Sequence, residues 1–557
     1  MTSDTADLIG PPQARARLAS ARQRPPLRER LRTFFYRGKL YRAWLDRAPL
    51  PSIQHALREP WLGRLSTANA LFQGRFTFHG HTVQAPNRSP WAVEEPLSWF
   101  EALHGFSWLR HFQLASGLTS RQHARELVRS WIHDFGDFEP CAWRAPVLAQ
   151  RVLAWSIAHE FLLFESDESF RRVFKNSLAR QARHLARTAP RVQGQDRLDV
   201  AVAVTLVGET MNHGRWARRG RQSVEAALAD ELLVDGGHRS RNPQRTHAAL
   251  RTLVTLRDGL ASLGVELPSW LPERIEATAS VLRLIRHGDG ALAIFHGARE
   301  DEPQRLDESL RVAESKPRAS GSAGDSGFER LTCGRLVAVI DTSSAGPFRS
   351  PLAFELSIGR DRLIVNCGCY AGGDEAWARA AESTAAHSTL GIDDRNAECV
   401  AASDPLLAQP LRGEEGTSVW LEASHIGYVR RFGLRHRRRL HASKDGYELV
   451  GEDSLSLVQS ADGRAPAGVD RAANATIRLH LHPGVSASLV RYGKEVLMRL
   501  PSGAGWMFEA TQGALALEES VYLGQAPEAR RTQQIVLTLP IGEAGLDVTW
   551  RLARVED

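Results

Sequence analysis

The sequence predicts an α + β multidomain chain in which a run of paired helices, a toroid or a solenoid, precedes an antiparallel β-sandwich. Three observations predict it. From Trp99 to about Ile285 apolar residues recur at three- and four-residue spacing. After Gly288 short stretches of strand character follow one another at regular spacing between turn residues. The length, 557 residues, exceeds what one ordinary core accommodates.

Taken in order, residues 1 to about 30 are polar, rich in Arg and Pro, and read as a poorly ordered arm. Arg28-Glu-Arg-Leu-Arg-Thr-Phe-Phe-Tyr36 starts an amphipathic helix, whose arginines suit a solvated face or a contact with membrane or nucleic acid. Gly74 to Val83 alternates as a short hairpin, with His79 and His81 on one strand face as a metal pair needs, but no third ligand nearby. Helical pattern then covers Trp99–Phe112, Ala124–Ile132, Val147–Ile157, Leu198–Glu209 and Val224–Leu233. Short Gly-, Asp- or Pro-bearing loops between them favour antiparallel neighbours. Trp61, Trp99, Trp108, Trp143 and Trp155 read as core, with sugar stacking as the alternative. Gly288–Gly297 leaves the helices, and Ser315–Gly327 is a flexible loop by its Gly, Ser and Pro content. Strands follow from Arg335–Thr342 to Leu546–Leu552. The expected divisions are therefore 1–95 for the arm, helices and hairpin, 96–287 for the helical part and 288–557 for the sandwich.

Composition bounds the function classes. Hydrophobic content of 43% and charged content of 24% suit packed cores and exclude global disorder. A formal charge of +7 favours polyanions: acidic polysaccharide, nucleic acid or anionic membrane. No nucleic-acid-binding motif accompanies that charge, so nucleic acid is not expected as a partner. The five cysteines are scattered without a Cys-x-x-Cys pair, which argues against a disulfide framework or a zinc ribbon. No apolar run reaches the ~18 residues of a membrane span. The first residues lack a basic region followed by an apolar core, so a cytoplasmic location is expected, with a periplasmic one as alternative.

Chemistry-bearing residues concentrate in a few stretches. Arg362-Leu-Ile-Val-Asn-Cys-Gly-Cys-Tyr370 reads as a buried strand and a Gly turn, and Arg379 to Asp394 as a connection and a second strand opened by His387. Asn366, Tyr370, His387 and Asp393 thereby fall close together. Asp235-Gly-Gly-His238-Arg239-Ser-Arg241-Asn242-Pro243 is a basic turn, either an anion site or simply a helix cap. Alternation over Ser424–His441 sends Tyr428, Arg430, His436 and Arg438 to one face and Arg431, Arg435, Arg437 and Arg439 to the other. That stretch is either a charge-protected edge strand or a polyanion contact. His480 and His482 share a face and are core or catalytic.

Four of these motifs, in this order, resemble the heparinase II/III-like polysaccharide lyases: Leu103-His-Gly-Phe-Ser-Trp-Leu-Arg110, Asp235–Pro243, the Gly368-Cys-Tyr370 to Ala386-His-Ser-Thr389 segment, and Gly427-Tyr428-Val-Arg430. The resemblance implies an incomplete α/α toroid before the sandwich, and cleavage of uronate-containing polysaccharide by β-elimination in the groove between them. Such a reaction needs a group that neutralises the C5 carboxylate, a base that takes the C5 proton and an acid for the departing O4. The resemblance assigns proton transfer to His387, Tyr428 and His238. It assigns substrate binding to Arg239, Arg241, Asn242, Asn366, Tyr370 and Arg430. In metal-containing relatives His387 helps to hold a zinc or calcium ion with a His-x-His-x-Asp element, which here falls on Gly346-Pro-Phe348-Arg-Ser350. With those ligands missing, no cofactor and no tightly bound metal is expected, and Arg349 stands where it can help to neutralise a carboxylate. Arg245 occupies the place of the usual acid/base Tyr. The alternative is a catalytically degenerate, glycan-binding member of the same family.

Overall fold

The computed structural model describes residues 27–47, 51–85, 90–91, 93, 95–316, 321–343, 348–370, 374–400, 404, 408–458, 470–525 and 529–555. The expected arm before Leu27, the centre of the 315–327 loop and Gly346-Pro347 lie outside the described residues. Two units divide the chain: residues 1–227 with 255–267, and residues 228–254 with 268–557.

Helices form the first unit where the apolar spacing asks for them. They include Leu97–Gly105, Gly117–Phe135, Ala145–Ile157, Glu168–Thr188 and Arg197–Thr210. Ala145–Ile157 packs against Leu97–Gly105, Glu168–Thr188 and Arg197–Thr210, and a helix surrounded in this way has no polar face to spare. Arg197–Thr210 reads Val-Ala-Val-Ala-Val through its first half and is buried nearly throughout. Trp99, Trp108, Trp131, Trp143 and Trp155 lie in one core, and Trp61 is buried too, so these indoles pack rather than offer sugar platforms. The hairpin pairs Arg75–Phe78 with His81–Gln84. His79 sits in its turn at φ 51°, so it does not share a strand face with His81 as the alternation suggests.

The second unit holds two antiparallel sheets. Nine strands run from Ala514–Tyr522 through Arg530–Pro540, Asn474–Leu481, Asp361–Val365, Phe354–Ile358, Leu336–Asp341 and Phe328–Cys333 to Ser322–Ala323, with Leu390–Ile392 paired to Asn474–Leu481 off that path. Eight run from Ser486–Val490 through Glu495–Arg499, Gly505–Ala510, Leu546–Arg554, Glu448–Leu457, Leu434–Ser443 and Ser418–Tyr428 to Leu411–Glu415. One core takes side chains from both sheets, among them Leu356, Leu440, Leu479, Trp506 and Trp550, as facing sheets require.

The basic stretch departs from the expected edge strand. Leu434–Ser443 is an interior strand, paired on both sides, and its buried face carries His436 and Arg438. Asp453 neutralises them. It accepts from His436 Nε2 at 2.7 Å, from Arg438 Nε at 2.8 Å and Nη2 at 3.1 Å, and from Trp550 Nε1 at 2.8 Å. Ahead of it the strand breaks into a helical turn, Val429–Phe432, closed by Gly433 at φ 70°. Tyr428 and Arg430 therefore do not line one strand face with His436 and Arg438. The expected second strand is also shorter: a 3-10 turn occupies Thr384–Ala386 and only Leu390–Ile392 is extended.

Candidate functional site

The site lies where the Asp235–Pro243 turn meets the nine-stranded sheet, all within the second unit. Asp235 ties the turn down: its carboxylate accepts from the backbone N–H of Gly237 at 3.0 Å and of Ser326 at 2.6 Å. At Gly236, φ is 95° and an added Cβ would stand 2.3 Å from the Ala277 carbonyl carbon, so no other residue passes there. From this turn Arg241, itself at φ 58°, enters the sheet and is buried. Its guanidinium donates to the Ser326 carbonyl at 2.6 Å, to the Gly327 carbonyl at 3.2 Å and to the Asp341 carboxylate. The other Asp341 oxygen lies 2.9 Å from His296 Nε2. Burial by itself raises the Asp341 pKa, but Arg241 and His296 more than offset it and hold the carboxyl at about 2. Arg241 thus braces the turn on the sheet, with its donors used inside the protein.

Asn242 caps the following helix, Pro243–Ser262: its Oδ1 accepts from the backbone N–H of Gln244 at 2.9 Å, while its Nδ2 donates to the His296 carbonyl at 2.9 Å. The capping reading of that turn is the one the contacts follow. His238 is buried with Nδ1 2.7 Å from Ser240 Oγ, and its pKa is pushed down to about 4 by burial and by Arg245 and Arg239. Arg239 turns back to the carbonyls of Asp230 and Ala229 at 2.8 and 3.3 Å.

His387 follows the 3-10 turn and is buried. Its Nδ1 is 2.7 Å from the Ser383 carbonyl, which only accepts, so Nδ1 carries the hydrogen and Nε2 the lone pair. Burial, partly offset by that hydrogen bond, lowers its pKa to about 4. Between His387 and His296 stands Phe348, with ring centroids 6.1 and 6.0 Å away and both contacts edge-on. The aromatic ring occupies the neighbourhood where the resemblance calls for metal ligands. Asn366 is committed as well, its Nδ2 donating to Glu355 at 2.9 Å and its Oδ1 accepting from the Ser388 N–H at 3.0 Å. Among the described residues no group of three His, Cys, Asp or Glu side chains suits a metal ion. The donor set does not fit the metal of the metal-containing relatives.

The remaining candidates lie elsewhere. Tyr428 is enclosed in the sandwich core and donates to the Leu390 carbonyl at 3.0 Å, with burial pushing its hydroxyl well above the ordinary range. A phenol in that position has no path to a substrate, which corrects its assignment to proton transfer. Arg430 is exposed on the helical turn and paired with Glu398 at 2.9 Å. Tyr370 stacks on Trp377 at 5.7 Å. His480, buried, donates through Nε2 to the Ala385 carbonyl at 3.0 Å and accepts from Ser520 at 2.8 Å, as a satisfied core histidine does.

Sequence reasoning passed over two parts of this region. Asp341 and His296 carry no motif; they come together because the strand Leu336–Asp341 ends beside the Arg241 turn. A cationic cavity of about 350 Å³, lined by Arg349, Asp394, Arg395, Asn396, Glu398 and Arg431, opens near the end of Leu390–Ile392. Arg349, Asp394 and Arg431 each stood in a stretch the sequence singled out, but nothing in the sequence brought them together.

Comparison with known proteins bears on both halves of the chain. Residues 315–550 match the family described as Heparinase II/III-like, C-terminal. Over 517 residues the chain is 31% identical to FtsZ-localized protein C of Caulobacter vibrioides, covering 87% of each protein. The fold is shared with the crystal structure of heparinase III, at TM-score 0.65 and 15% identity over 95% of this chain and 92% of that one. It is likewise shared with a mutant of the heparan sulfate lyase HepC of Pedobacter heparinus, at TM-score 0.63 and 17% identity over 95% and 88%.

Proposed function

Because this chain belongs to the heparinase II/III-like family, we propose that it binds an acidic glycan without cleaving it and works where FtsZ assembles. One observation carries the non-cleaving part: Tyr428, one of the groups assigned to proton transfer, and Asn366, one assigned to the substrate, are both committed inside the protein. Tyr428 is sealed in the core, Asn366 is used by Glu355 and Ser388, and Phe348 stands between the two imidazoles. In the cavity Arg349 and Arg395 suit carboxylate or sulfate groups, since guanidinium pairs with both, while Arg431 is paired with Asp470 at 3.0 Å. The association with FtsZ rests on the extended similarity to a relative named for that localisation.

A second reading, β-elimination at a uronate, is favoured by His387. With Nδ1–H fixed on the Ser383 carbonyl and the ring neutral at pH 7, Nε2 has a general base's lone pair. One experiment separates the two. The purified protein is mixed with a panel of acidic polysaccharides, and both the ultraviolet absorbance of the C4–C5 double bond and the calorimetric heat are followed. Binding heat with flat absorbance, weakened in R349A/R395A, supports the binder; an absorbance rise abolished by His387→Ala establishes the lyase. Co-sedimentation with GTP-assembled FtsZ checks the second half, and protein that stays in the supernatant would refute it.

A further inference from the structure

The described chain begins with two short helices, α1 (Leu27–Arg37) and α2 (Lys39–Leu45). A helix of a soluble unit ordinarily turns its apolar stripe inward; α1 does the reverse. Tyr36 is buried and Thr33 half-buried, so their side of the helix faces the protein. Tyr36 is held there by Arg191, whose Nη1 donates to its hydroxyl at 2.8 Å, and by the rings of Tyr41 and Phe138 at 4.7 and 5.1 Å. At about 100° per residue, Leu27, Leu31 and Phe34 fall on the opposite side, with Phe35 at its margin, in an arc of about 100°. Their exposures are 68%, 60%, 80% and 50%, and Leu40 at the start of α2 adds a side chain 87% exposed.

Cations frame this stripe. Arg30 and Arg37 border it on one side and Arg28 and Arg32 on the other, all four exposed, with exposed Lys39 beside Leu40. Glu29 lies toward the protein side. The sequence just before α1 repeats the charge: from Leu8 to Pro26 there are four arginines and no carboxylate. We propose that α1 with Leu40 is an interfacial anchor that lies in the surface of an anionic bilayer. Leu27, Leu31, Phe34 and Leu40 enter the acyl boundary, while the flanking guanidinium groups reach the lipid phosphates. A bilayer fits better than a peptide partner because the stripe is the convex outer side of a single helix and is framed by cations on both sides. Eleven residues of α1 are too few to span a membrane, so the helix lies on it.

The test is sedimentation of the full chain with vesicles of phosphatidylcholine containing phosphatidylglycerol, beside vesicles of phosphatidylcholine alone. Wild type is expected to pellet with the anionic vesicles, to lose most of that binding in high salt, and to stay free of the neutral ones. L31Q/F34Q should weaken binding by about tenfold or more. Because both side chains are exposed, its thermal unfolding should match wild type, which excludes misfolding as the cause. R28E/R30E should weaken binding on anionic vesicles as well. No binding to anionic vesicles, or unchanged binding by L31Q/F34Q, would overturn the anchor. So would a stripe variant that keeps vesicle binding but loses FtsZ co-sedimentation, which would make the stripe a protein-docking face.

Discussion

Replacing Arg241 by Met tests the site most directly, because it separates a brace from a substrate ligand. Arg241 supplies the charge beside the buried Asp341 carboxylate and donates to the carbonyls of Ser326 and Gly327. Methionine keeps much of the stem but removes the guanidinium charge, leaving the buried Asp341 with His296, the Ser350 hydroxyl at 3.1 Å and the Ser343 N–H at 3.1 Å. The Asp341 carboxyl sits at about 2 against an ordinary 3.8, a net stabilisation of about 2 kcal/mol once the cost of its burial is counted. Stranding a buried charge typically costs about 3–5 kcal/mol, and the orphaned carbonyls add to it. The expected loss is therefore about 3–5 kcal/mol in urea unfolding followed by tryptophan fluorescence. The sign with pH is also fixed. A carboxyl lowered on folding stabilises above its unfolded pKa near 4 and loses that contribution as pH falls through about 2, so R241M should level the stability profile in that window. R241M/D341L, which removes both charges, should recover most of the loss. A loss below about 1 kcal/mol in R241M, together with abolished glycan binding, would refute the brace and return Arg241 to the substrate.

Three other outcomes follow from the same contacts. Asp453→Asn weakens the acceptor shared by His436, Arg438 and Trp550 and should cost about 3–5 kcal/mol, read in the same unfolding assay. Tyr428→Phe removes only the hydroxyl that meets the Leu390 carbonyl; it should cost about 1 kcal/mol and leave glycan binding as in wild type, whereas lost binding would contradict the core placement. Burial holds His104, His184 and His480 at about 3 and His238 and His387 at about 4. The unfolded chain binds protons at these positions first, so stability should fall as pH drops from about 6.5 toward 4; a flat melting temperature across that range would contradict their neutral burial.

The sequence by itself determined the succession of helices and strands, because apolar periods of three to four and of two are properties of the chain read locally. It located the Asp235–Pro243 turn, where glycine at 236 and proline at 243 restrict the backbone whatever surrounds them. It also brought Asn366 and His387 into one neighbourhood. Only the tertiary structure decided which polar side chains are free to act. Alternation gave His436 and Arg438 a common face, but not that Asp453 on the next strand neutralises that face in the core. Tyr428 and Arg430 stand two residues apart, yet a single helical turn seals one and exposes the other. The α1 stripe shows the same division. Its amphipathic character is written in Arg28–Tyr36, while the direction it faces is set by Tyr36 docking on Tyr41 and Phe138. Periodicity tells which residues share a side, and only packing tells which side the protein covers.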